Sequence, residues 1–555
     1  MNPKPWLDHY DRGVPATIIY PAKTVHSFLS DAAAHFPDQA CTTFRDNQLT
    51  YRQMDRLTDK LAAGLLLLGV RKGDRVGVVL PNIPQFVIAF YGILKMGGIV
   101  VAMNPQYKIG ELEFQVANAG VKTLIGLKAS SDLLQQLKER TGLGRLIMTD
   151  VDDAFKLRDL LNKMDQSKDS EAQDFMGIIA HASQPLPKLD IFSQDAAVFQ
   201  YSGGTTGEPK AAIGTHKNLV ANTLQFRNWL IGLEDGKETV LAAIPLFHVY
   251  GMVIAMSLGV ALGANLVLAA NSRDVNDLLN NIERYHVTLF PGVPQIYHLI
   301  NQSPAVRAGK YKLDSIKACI SGSAPLHKET KEAFEASTGG KVMEGYGLSE
   351  APTATHCNPM FGENRIGSIG LPLPDVECRI VSLDGADRDL SVGEPGELIL
   401  RGPQVIQGYF NLPQETEIAL KNGWLHTGDI ARMDAEGYFY LVDRKKELIK
   451  VSGFQVWPRE IEDVLMTHPK VLEAGVAGIP DELHGEAAKA WIVLKAGMTA
   501  TSEEMKAWCT QRLVKYKVPV QIEFLSALPR TSVGKLLRRE LVRMHLENKK
   551  TPPVT

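Results

Sequence analysis

Short apolar runs alternate with amphipathic segments over the first 350 residues of the chain. Each apolar run is long enough for one buried strand, and the segments between them carry apolar residues at helical spacing. The stretch 86–102, for example, predicts a helix followed by a strand. This alternation is typical of parallel α/β layers. The predicted strands are 74–80, 98–103, 196–201, 239–244, 287–290 and 316–320.

After Gly367 the pattern changes to hairpin-like runs separated by Gly and Pro turns, such as ECRIVSLDG, GELILRG and GYFYLVDRKK. These runs predict a β-rich subdomain over about residues 367–443. Beyond Arg444 we expect a helix near Pro458, strands at 472–478 and 489–494, and helices from Ser502 and Lys535. We also expect the polar stretch 162–190 to be a surface excursion.

A chain of 555 residues exceeds what one hydrophobic core usually supports. We therefore predict an α/β protein with two domains. Residues 1–443 would form a large N-terminal domain of α/β layers that includes the β-rich subdomain, and 444–555 a small α+β C-terminal domain.

The segment 249–270 contains no formal charge and is long enough to suggest a membrane helix. Gly251, Gly259 and Gly263 interrupt it, and 264–270 has the pattern of a buried strand. We expect a buried helix followed by a strand, and no integral membrane span.

Composition narrows the function classes. The chain has 45% hydrophobic and 22% charged residues and a formal net charge of -2, which gives no basic surface for nucleic acid. Its five cysteines are scattered, with no CxxC pair, as in cytoplasmic proteins with reduced thiols. The first residues lack the apolar stretch of a secretory signal. We therefore expect a cytoplasmic protein.

One glycine-rich loop carries candidate chemistry. In AAVFQYSGGTTGEPKAAIGTHKNLVAN an apolar strand leads into the loop, and a helix is expected from His216. Glycines let backbone N–H groups approach phosphate oxygens, hydroxyls add donors, and a lysine adds charge. The sequence differs from GxxxxGK[ST], because Pro209 precedes the lysine and Ala211 follows it. On these residues alone a flexible glycine turn remains an alternative. The candidates are Ser202, Gly203, Gly204, Thr205, Thr206, Gly207 and Lys210.

The loop YSGGTTGEPK resembles the phosphate loop of the adenylate-forming enzymes, which include acyl-CoA synthetases, nonribosomal adenylation domains and firefly luciferases. Further family-like motifs follow in order: PLFHVYGM, SGSAP, EGYGLSE, GWLHTGDI, VDRKKELIKVSGFQVWPREIE and PRTSVGK. The resemblance extends over about residues 24–541 and is greatest to bacterial long-chain fatty acyl-CoA ligases and coumarate:CoA ligases. It implies ATP, Mg²⁺, coenzyme A and a small carboxylic acid as ligands.

The resemblance also implies roles for individual residues in nucleotide binding. The loop would hold the β- and γ-phosphates, and Glu350 with Thr205 would organise Mg²⁺. Asp429 would accept the ribose hydroxyls, and Arg444 would contact ribose and phosphate. Outside the motifs, Glu350 would read as a helix N-terminal acid and Arg444 as a solvated charge. Tyr346 would stack on the adenine, and the remaining nucleotide contacts would come from Gly322, Ser323, Ala324, Pro325, Glu344, Gly345, Gly347 and Ser349.

Two lysines are implied to serve different half-reactions. Lys535 would reach the substrate carboxylate and the α-phosphate during adenylation, whereas Lys450 and Gln455 would serve thioester formation. Gly453 would lie along the pantetheine tunnel. The C-terminal domain would rotate about Lys446 between the two steps. Long-chain ligases often lack a lysine at the position of Lys450, which favours the coumarate-type relatives.

The acid itself is less strongly indicated. Acetate enzymes close their pocket with a tryptophan where this chain has Gly347, so we expect room for an acid longer than acetate or propionate. His248 to Met252 would line the pocket entrance. We predict an AMP-forming ligase for medium- or long-chain fatty acids, for which peripheral membrane contact is plausible. The alternatives are an aryl-acid:CoA ligase, an adenylation enzyme that loads a carrier protein, a luciferase-like oxygenase and an inactive adenylate-binding module.

Overall fold

The structure is a computed structural model that describes residues 4–163, 174–182, 184–202, 209–452, 454–481, 485–531 and 534–550. The chain divides into two compact units. The first is drawn from Met1–Ser202, Pro209–Glu377 and Arg401–Leu425, and the second from Cys378–Leu400 and His426–Thr555. The boundary between 443 and 444 remains a prediction.

The described residues contain the following strands, in chain order: β1 (Ala40–Phe44), β2 (Asn47–Thr50), β3 (Arg75–Val79), β4 (Ile99–Ala102), β5 (Thr123–Leu127), β6 (Arg145–Thr149), β7 (Ala196–Ser202), β8 (Lys210–Thr215), β9 (Thr239–Ala242), β10 (Asn265–Leu268), β11 (Leu289–Gly292), β12 (Ala318–Ser321), β13 (Lys341–Gly347), β14 (Ala354–Cys357), β15 (Leu371–Pro372), β16 (Glu377–Val381), β17 (Gly396–Arg401), β18 (Leu420–Lys421), β19 (Trp424–Met433), β20 (Phe439–Arg444), β21 (Ile449–Val451), β22 (Phe454–Val456), β23 (Val471–Asp481), β24 (Gly485–Leu494) and β25 (Gln521–Phe524).

The α-helices are α1 (Ser27–His35), α2 (Tyr51–Leu67), α3 (Pro84–Lys95), α4 (Ile109–Ala119), α5 (Ser131–Arg140), α6 (Leu157–Lys163), α7 (Phe175–His181), α8 (His216–Trp229), α9 (Leu258–Ala261), α10 (Val275–Tyr285), α11 (Pro294–Gln302), α12 (Pro304–Arg307), α13 (Lys328–Thr338), α14 (Pro413–Ala419), α15 (Pro458–Met466), α16 (Ser502–Thr510) and α17 (Arg538–Lys550). The described residues also contain short 3₁₀ helices and the π-helix Gly251–Ser257.

Two sheets organise the first unit, as the apolar rhythm predicts. One has nine strands in the order β15-β14-β13-β12-β11-β9-β10-β1-β2, and the other has six in the order β6-β5-β3-β4-β7-β8. Neighbouring strands from β13 to β1 in the first sheet and from β6 to β7 in the second are parallel. In sheets of this kind ligands bind beyond the carboxyl ends of the strands. The three motifs predicted to bind nucleotide, YSGGTTGEPK, SGSAP and EGYGLSE, begin within the last residues of β7, β12 and β13.

The predicted strands are confirmed, with shifted starts at two of them. β11 begins two residues later than 287 because His286 ends α10 in a left-handed conformation, at φ 49°. β12 begins two residues later than 316 because the N–H of Ile316 first closes a turn on the carbonyl of Leu313, at 3.3 Å. An apolar pattern marks burial, and such turn residues share it with the strand that follows.

The uncharged segment 249–270 folds as a helix and a strand. The π-helix and α9 are followed by β10, and all but a few residues of the run are buried. A Cβ on Gly251 would lie 2.2 Å from the carbonyl oxygen of Pro245, so this helix needs a glycine to pack. Within the described ranges, no helix has the length and apolar character needed to cross a membrane.

The stretch 162–190 differs from the expected surface excursion. It contains α7, in which Phe175 and Ile179 are fully buried. Ile178 packs so closely on α2 that a Cβ on Gly64 would lie 2.4 Å from its side chain. The run FMGIIA has helical apolar spacing, which the surrounding polar residues mask. Residues 164–173 and 183 lie outside the described ranges.

The second unit has the expected β-rich and α+β character. β16, β17 and β19 lie in one sheet, and β20 pairs antiparallel with β19. A second sheet has the order β22-β21-β24-β23, with β25 parallel to β24, and α15 packs on it. The last helix begins at Arg538 rather than at Lys535, because Leu536 first pairs with Arg530 in a β-bridge. Lys535 therefore lies on a turn.

Candidate active site

The ends of the glycine-rich loop are fixed by a hairpin. β7 ends at Ser202 and β8 begins at Lys210, and these two residues are register partners. Thr215 then caps α8 by accepting the N–H of Asn218 at 3.2 Å. The loop residues Gly203, Gly204, Thr205, Thr206 and Gly207, and the side chain of Ser202, lie outside the described residues. Their role in phosphate binding stays a prediction.

Lys210 contacts an aromatic ring and a carboxylate. Its Nζ lies 5.4 Å from the centroid of the Tyr409 ring and forms an ion pair with Glu415. The lysine expected to meet phosphate is thus already in an anion-binding arrangement, half-buried at the start of β8. The ring adds a cation–π attraction of about 0.5–1 kcal/mol at such a partly exposed site.

Glu350 lies in the turn after β13, so its interpretation as a helix N-terminal acid is wrong. The hydroxyl of Tyr409 donates to Glu350 Oε1 at 2.7 Å, and the N–H of Ile406 donates to the Glu350 carbonyl at 3.0 Å. Burial and the adjacent Glu350 carboxylate raise the pKa of Tyr409, so it remains a donor. Sequence reasoning missed Tyr409. The dipeptide Gly408–Tyr409, placed between a strand and a proline-led helix, was the available signal.

The structure supports a metal role for Glu350 only with help from a substrate. Within the described ranges, no three His, Cys, Asp or Glu side chains cluster as a metal site. Mg²⁺ usually keeps several waters and binds one or two carboxylates together with substrate phosphates. Glu350 fits such an ion, because its Oε1 accepts the Tyr409 hydroxyl and its second carboxylate oxygen could bind the metal.

The SGSAP motif forms a turn at the end of β12. Ser323 has φ 71°, which reverses the chain there. The N–H of Leu326 donates to Glu344 Oε1 at 3.4 Å, and the hydroxyl of Tyr250 donates to the carbonyl of Ile320 at 2.6 Å. Gly322 faces that same tyrosine, since its Cβ would lie 3.4 Å from the ring. Ala324 and Pro325 complete the turn. Tyr250 of the PLFHVYGM motif and Glu344 of the EGYGLSE motif therefore hydrogen-bond on either side of this turn.

β13 carries EGYGLSE beside this turn, because Ser321 and Glu344 are register partners. The Tyr346 ring is buried and meets His356 edge-on, with centroids 5.8 Å apart. A Cβ on Gly345 would lie 3.3 Å from the His356 carbonyl oxygen. Ser349 lies in the turn with Glu350. Stacking of Tyr346 on adenine stays a prediction.

The structure corrects the argument about Gly347. We expected the missing side chain to leave open space, but a Cβ there would lie only 1.6 Å from the carbonyl oxygen of Thr353. Asn222 of α8 holds that segment by accepting the N–H groups of Thr353 and Ala354 at 2.8 and 3.1 Å. The backbone of Thr353 therefore occupies the space that a Cβ of residue 347 would need, and no void is present there. Gly347 alone therefore does not indicate a large acyl pocket.

His248 is half-buried at the start of the helical segment. Its Nδ1 accepts the N–H of Tyr250 at 3.2 Å, and Met252 is fully buried. The role of 248–252 in acid binding stays a prediction.

In the second unit Asp429 and Arg444 form an ion pair. They are register partners on β19 and β20, and Arg444 Nε lies 2.9 Å from Asp429 Oδ1. Asp429 is buried, so a purely solvated charge at Arg444 is excluded. A buried carboxylate with a guanidinium beside it retains acceptor capacity for vicinal hydroxyls.

Lys535 lies within electrostatic reach of this pair. Burial, with a smaller contribution from the nearby Arg444 guanidinium, lowers the pKa of Lys535 to about 8, and Asp429 and Glu447 oppose this shift. Its backbone is held by Thr531, whose Oγ1 accepts the Lys535 N–H at 3.0 Å. The structure thus brings Lys535 within electrostatic range of Asp429 and Arg444, although they lie 106 and 91 positions before it in the chain.

Arg538, which sequence reasoning missed, anchors the chain just after Lys535. Its Nη2 lies 2.7 and 2.8 Å from the two carboxylate oxygens of Glu462, and its Nε donates to the Val476 carbonyl at 2.9 Å. It also pairs with Glu447. In the run KLLRRE, nothing in the sequence distinguishes the largely buried Arg538 from the exposed Arg539.

Lys450 and Gln455 are register partners on β21 and β22, and both are exposed. The N–H of Lys450 donates to Glu486 at 2.7 Å. Their environment differs from the half-buried turn of Lys535. Gly453 lies outside the described residues. Their part in thioester formation stays a prediction.

Comparison with known proteins agrees with these motifs. The family model described as AMP-binding enzyme matches residues 29–410, and the AMP-binding enzyme C-terminal domain matches 460–535. A long-chain-fatty-acid–CoA ligase of Bacillus subtilis (strain 168) is 43% identical, over 99% of both chains. A 4-coumarate-CoA ligase of Narcissus pseudonarcissus is 33% identical over 93% of both. The solved O-succinylbenzoate coenzyme A synthetase of Bacillus subtilis, in complex with ATP and a magnesium ion, is 27% identical with a TM-score of 0.77, covering 93% of this chain and 98% of that one. This chain belongs to the AMP-binding enzyme family of adenylate-forming enzymes.

Proposed function

We propose that this chain is an AMP-forming fatty acid:CoA ligase for medium- or long-chain acids. The observation that carries the proposal is the grouping of Lys535 with Asp429 and Arg444, because a cation beside a ribose-binding carboxylate suits adenylate chemistry. The 43% identity to a long-chain-fatty-acid–CoA ligase over 99% of the chain supports the choice of acid.

In the first half-reaction a carboxylate oxygen of the acid bonds to the α-phosphorus of ATP, and the bond from that phosphorus to pyrophosphate breaks. Lys535 offsets the repulsion between the two anions. Asp429 and Arg444 hold the ribose, and Lys210 contacts the departing phosphates. Glu350 would hold Mg²⁺ together with Thr205, and the ion would supply charge neutralisation on the phosphates.

In the second half-reaction the sulfur of coenzyme A bonds to the acyl carbon, the bond to AMP breaks, and the thiol proton is released. We assign Lys450 and Gln455 to this step, with Gly453 along the pantetheine tunnel. Residues 444–555 would rotate about Lys446 between the steps, a rigid-body change at a short hinge. The separate environments of Lys535 and Lys450 support this division.

The second candidate is an aryl-acid:CoA ligase. It is supported by the 33% identity to a 4-coumarate-CoA ligase and by the presence of Lys450. Apolar walls discriminate methylene groups by only about 1–3 kcal/mol each, so a broad chain-length range is expected.

The test is a substrate series with ATP, Mg²⁺ and coenzyme A. Acetate, octanoate, palmitate, benzoate and coumarate are compared by kcat/KM, with pyrophosphate and acyl-CoA both measured. We expect octanoate or palmitate to exceed the others by at least tenfold. Higher kcat/KM for coumarate or benzoate would favour the aryl candidate, and acetate as the best acid would contradict both. Pyrophosphate release without acyl-CoA would indicate a carrier-protein acceptor.

We further propose that the enzyme works in the cytoplasm and contacts the inner face of the membrane, where long-chain acids partition. Sedimentation with acid-loaded vesicles, compared with acid-free vesicles of the same lipid, tests this. Equal sedimentation with both would contradict it.

A further inference from the structure

One segment of the first unit contacts two of the predicted phosphate-site residues. Residues 406–416, the tyrosine segment, pair with β8 immediately after Lys210. The Phe410 N–H donates to the Ala211 carbonyl at 2.9 Å, and the Ile213 N–H donates to the Gly408 carbonyl at 3.0 Å. This pairing fixes the position of Tyr409 relative to the strand that carries Lys210.

The same segment holds Glu350 through both its backbone and its side chain. Ile406 donates its N–H to the Glu350 carbonyl at 3.0 Å, and the Tyr409 hydroxyl donates to Glu350 Oε1 at 2.7 Å. A hydroxyl on one carboxylate oxygen fixes the rotation of the carboxylate and leaves the other oxygen for a ligand. The proposed reaction assigns no role to Tyr409.

We propose that Tyr409 is a positioning residue, which orients the Glu350 carboxylate toward the metal-bound triphosphate. This assignment rests on the proposed function and deepens it. A neutral donor leaves the full negative charge on Glu350, which a cation requires. A charged donor at the same place would compete with that cation.

The tyrosine ring has a separate contact that the test must preserve. Lys210 Nζ lies 5.4 Å from the ring centroid, and a phenylalanine at this position retains the ring while it lacks the hydroxyl. Tyr409→Phe therefore isolates the bond to Glu350. Tyr285→Phe is a matched control, because that hydroxyl donates to the surface carboxylate Asp46 and contacts none of the predicted site residues.

The experiment measures binding of a non-hydrolysable ATP analogue by calorimetry, once with Mg²⁺ and once with EDTA. Loss of one hydrogen bond to a charged group should weaken binding in Mg²⁺ by about tenfold and leave binding in EDTA unchanged. Tyr285→Phe should match the wild type in both. Glu350→Gln should abolish the gain that Mg²⁺ gives, and adding Tyr409→Phe to it should cause no further loss.

Two results would overturn the role of Tyr409: equal weakening in Mg²⁺ and EDTA, or an additive loss in the double variant. A lowered Tm accompanied by equal weakening would identify the hydroxyl as merely structural. Activity of the wild-type protein distinguishes failure of the proposed function from failure of this inference. Wild-type protein that releases no pyrophosphate with any acid contradicts the function, whereas an active wild type with a Mg²⁺-independent Tyr409→Phe defect contradicts only this inference.

Discussion

Gly347 illustrates how a single residue can be chosen by backbone packing rather than by the substrate. Because acetate enzymes have a tryptophan at this position, we expected open space beside Gly347. The carbonyl oxygen of Thr353 instead occupies the place that a Cβ would take. Asn222 fixes that carbonyl's neighbours through bonds from Thr353 and Ala354, so the segment has little freedom to move away. The glycine is therefore needed by the fold between β13 and β14.

Gly347→Ala should be strongly disruptive for this reason. A Cβ placed 1.6 Å from a held carbonyl forces backbone movement, and overpacking of this kind costs about 1–3 kcal/mol of unfolding free energy. We expect a lowered Tm and weaker ATP binding. Gly110→Ala is the control, because Gly110 is an exposed residue of α4 whose added Cβ would have nothing within 4 Å, and this variant should gain about 0.5–1 kcal/mol. Equal Tm values for the two variants would contradict the packing argument.

Lys535 should give adenylation a characteristic pH dependence. Burial holds the pKa of its amine near 8, below that of an exposed lysine, so the cation is present below pH 8 and is lost as the pH rises through 8. Acyl-adenylate formation should therefore fall above pH 8. Thioester formation from supplied acyl-adenylate should not follow that titration.

The matching variant is Lys535→Ala. Removing a single group that stabilises transition-state charge costs about 10²–10³-fold in rate, so adenylation should fall by that much while the second half-reaction is spared. Rapid-quench measurement of each half-reaction separates them. Equal loss of rate in both half-reactions would show that Lys535 is not specific to adenylation.

Among the elements, α15 and α17 are joined by the largely buried pair of Arg538 and Glu462, whose side chains are 16% and 12% exposed. Breaking a buried ion pair by removing one partner leaves an uncompensated charge and costs about 3–5 kcal/mol. Arg538→Met should therefore open α15 and β23, and Arg539→Met, at the exposed neighbouring position, should cost less than about 1 kcal/mol. Amide hydrogen exchange in α15 is the suitable measurement, because a chain with two units need not unfold in a single step. Unchanged protection in Arg538→Met would contradict the anchoring role.

Local pattern predicted the elements well and their long-range contacts poorly. β3, β4 and β9 fall inside the predicted ranges, and β7 exceeds its range by one residue, because an apolar pattern directly marks burial. α7 was missed because its short apolar face is surrounded by polar residues. The motifs named Glu350, Asp429, Arg444 and Lys535 as candidate site residues, and their roles stay predictions. Tyr409 and Arg538 were missed because their partners, Glu350 and Glu462, lie 59 and 76 positions away in the chain.

For the whole molecule, the second unit contains both strands that precede the predicted hinge and strands that follow it. Both sides of Lys446 are tied down within it. Lys445 Nζ lies 2.8 Å from Glu397, and Glu447 pairs with Arg538. Asp443 accepts the N–H of Arg459, in the first turn of α15, at 2.9 Å. Rotation about Lys446 would have to break the bond between Arg459 and Asp443, which joins the two sides of the predicted hinge, whereas the pairs of Lys445 and Glu447 each lie on one side. The proximity of Lys535 to Asp429 and Arg444 fits the proposed adenylation step.

Lys446→Pro should consequently separate the two half-reactions. Lys446 lies in the short helix Lys445–Glu447, and a proline there fixes its φ near −65° and prevents a large change of that dihedral. Because the present arrangement suits adenylation, that step should stay close to the wild-type rate, while thioester formation falls about a hundredfold through misplacement of Lys450. Lys446→Ala, which keeps the dihedral free, should preserve both steps. If proline slowed adenylation as much as thioester formation, or if alanine reproduced its effect, Lys446 would not be the hinge.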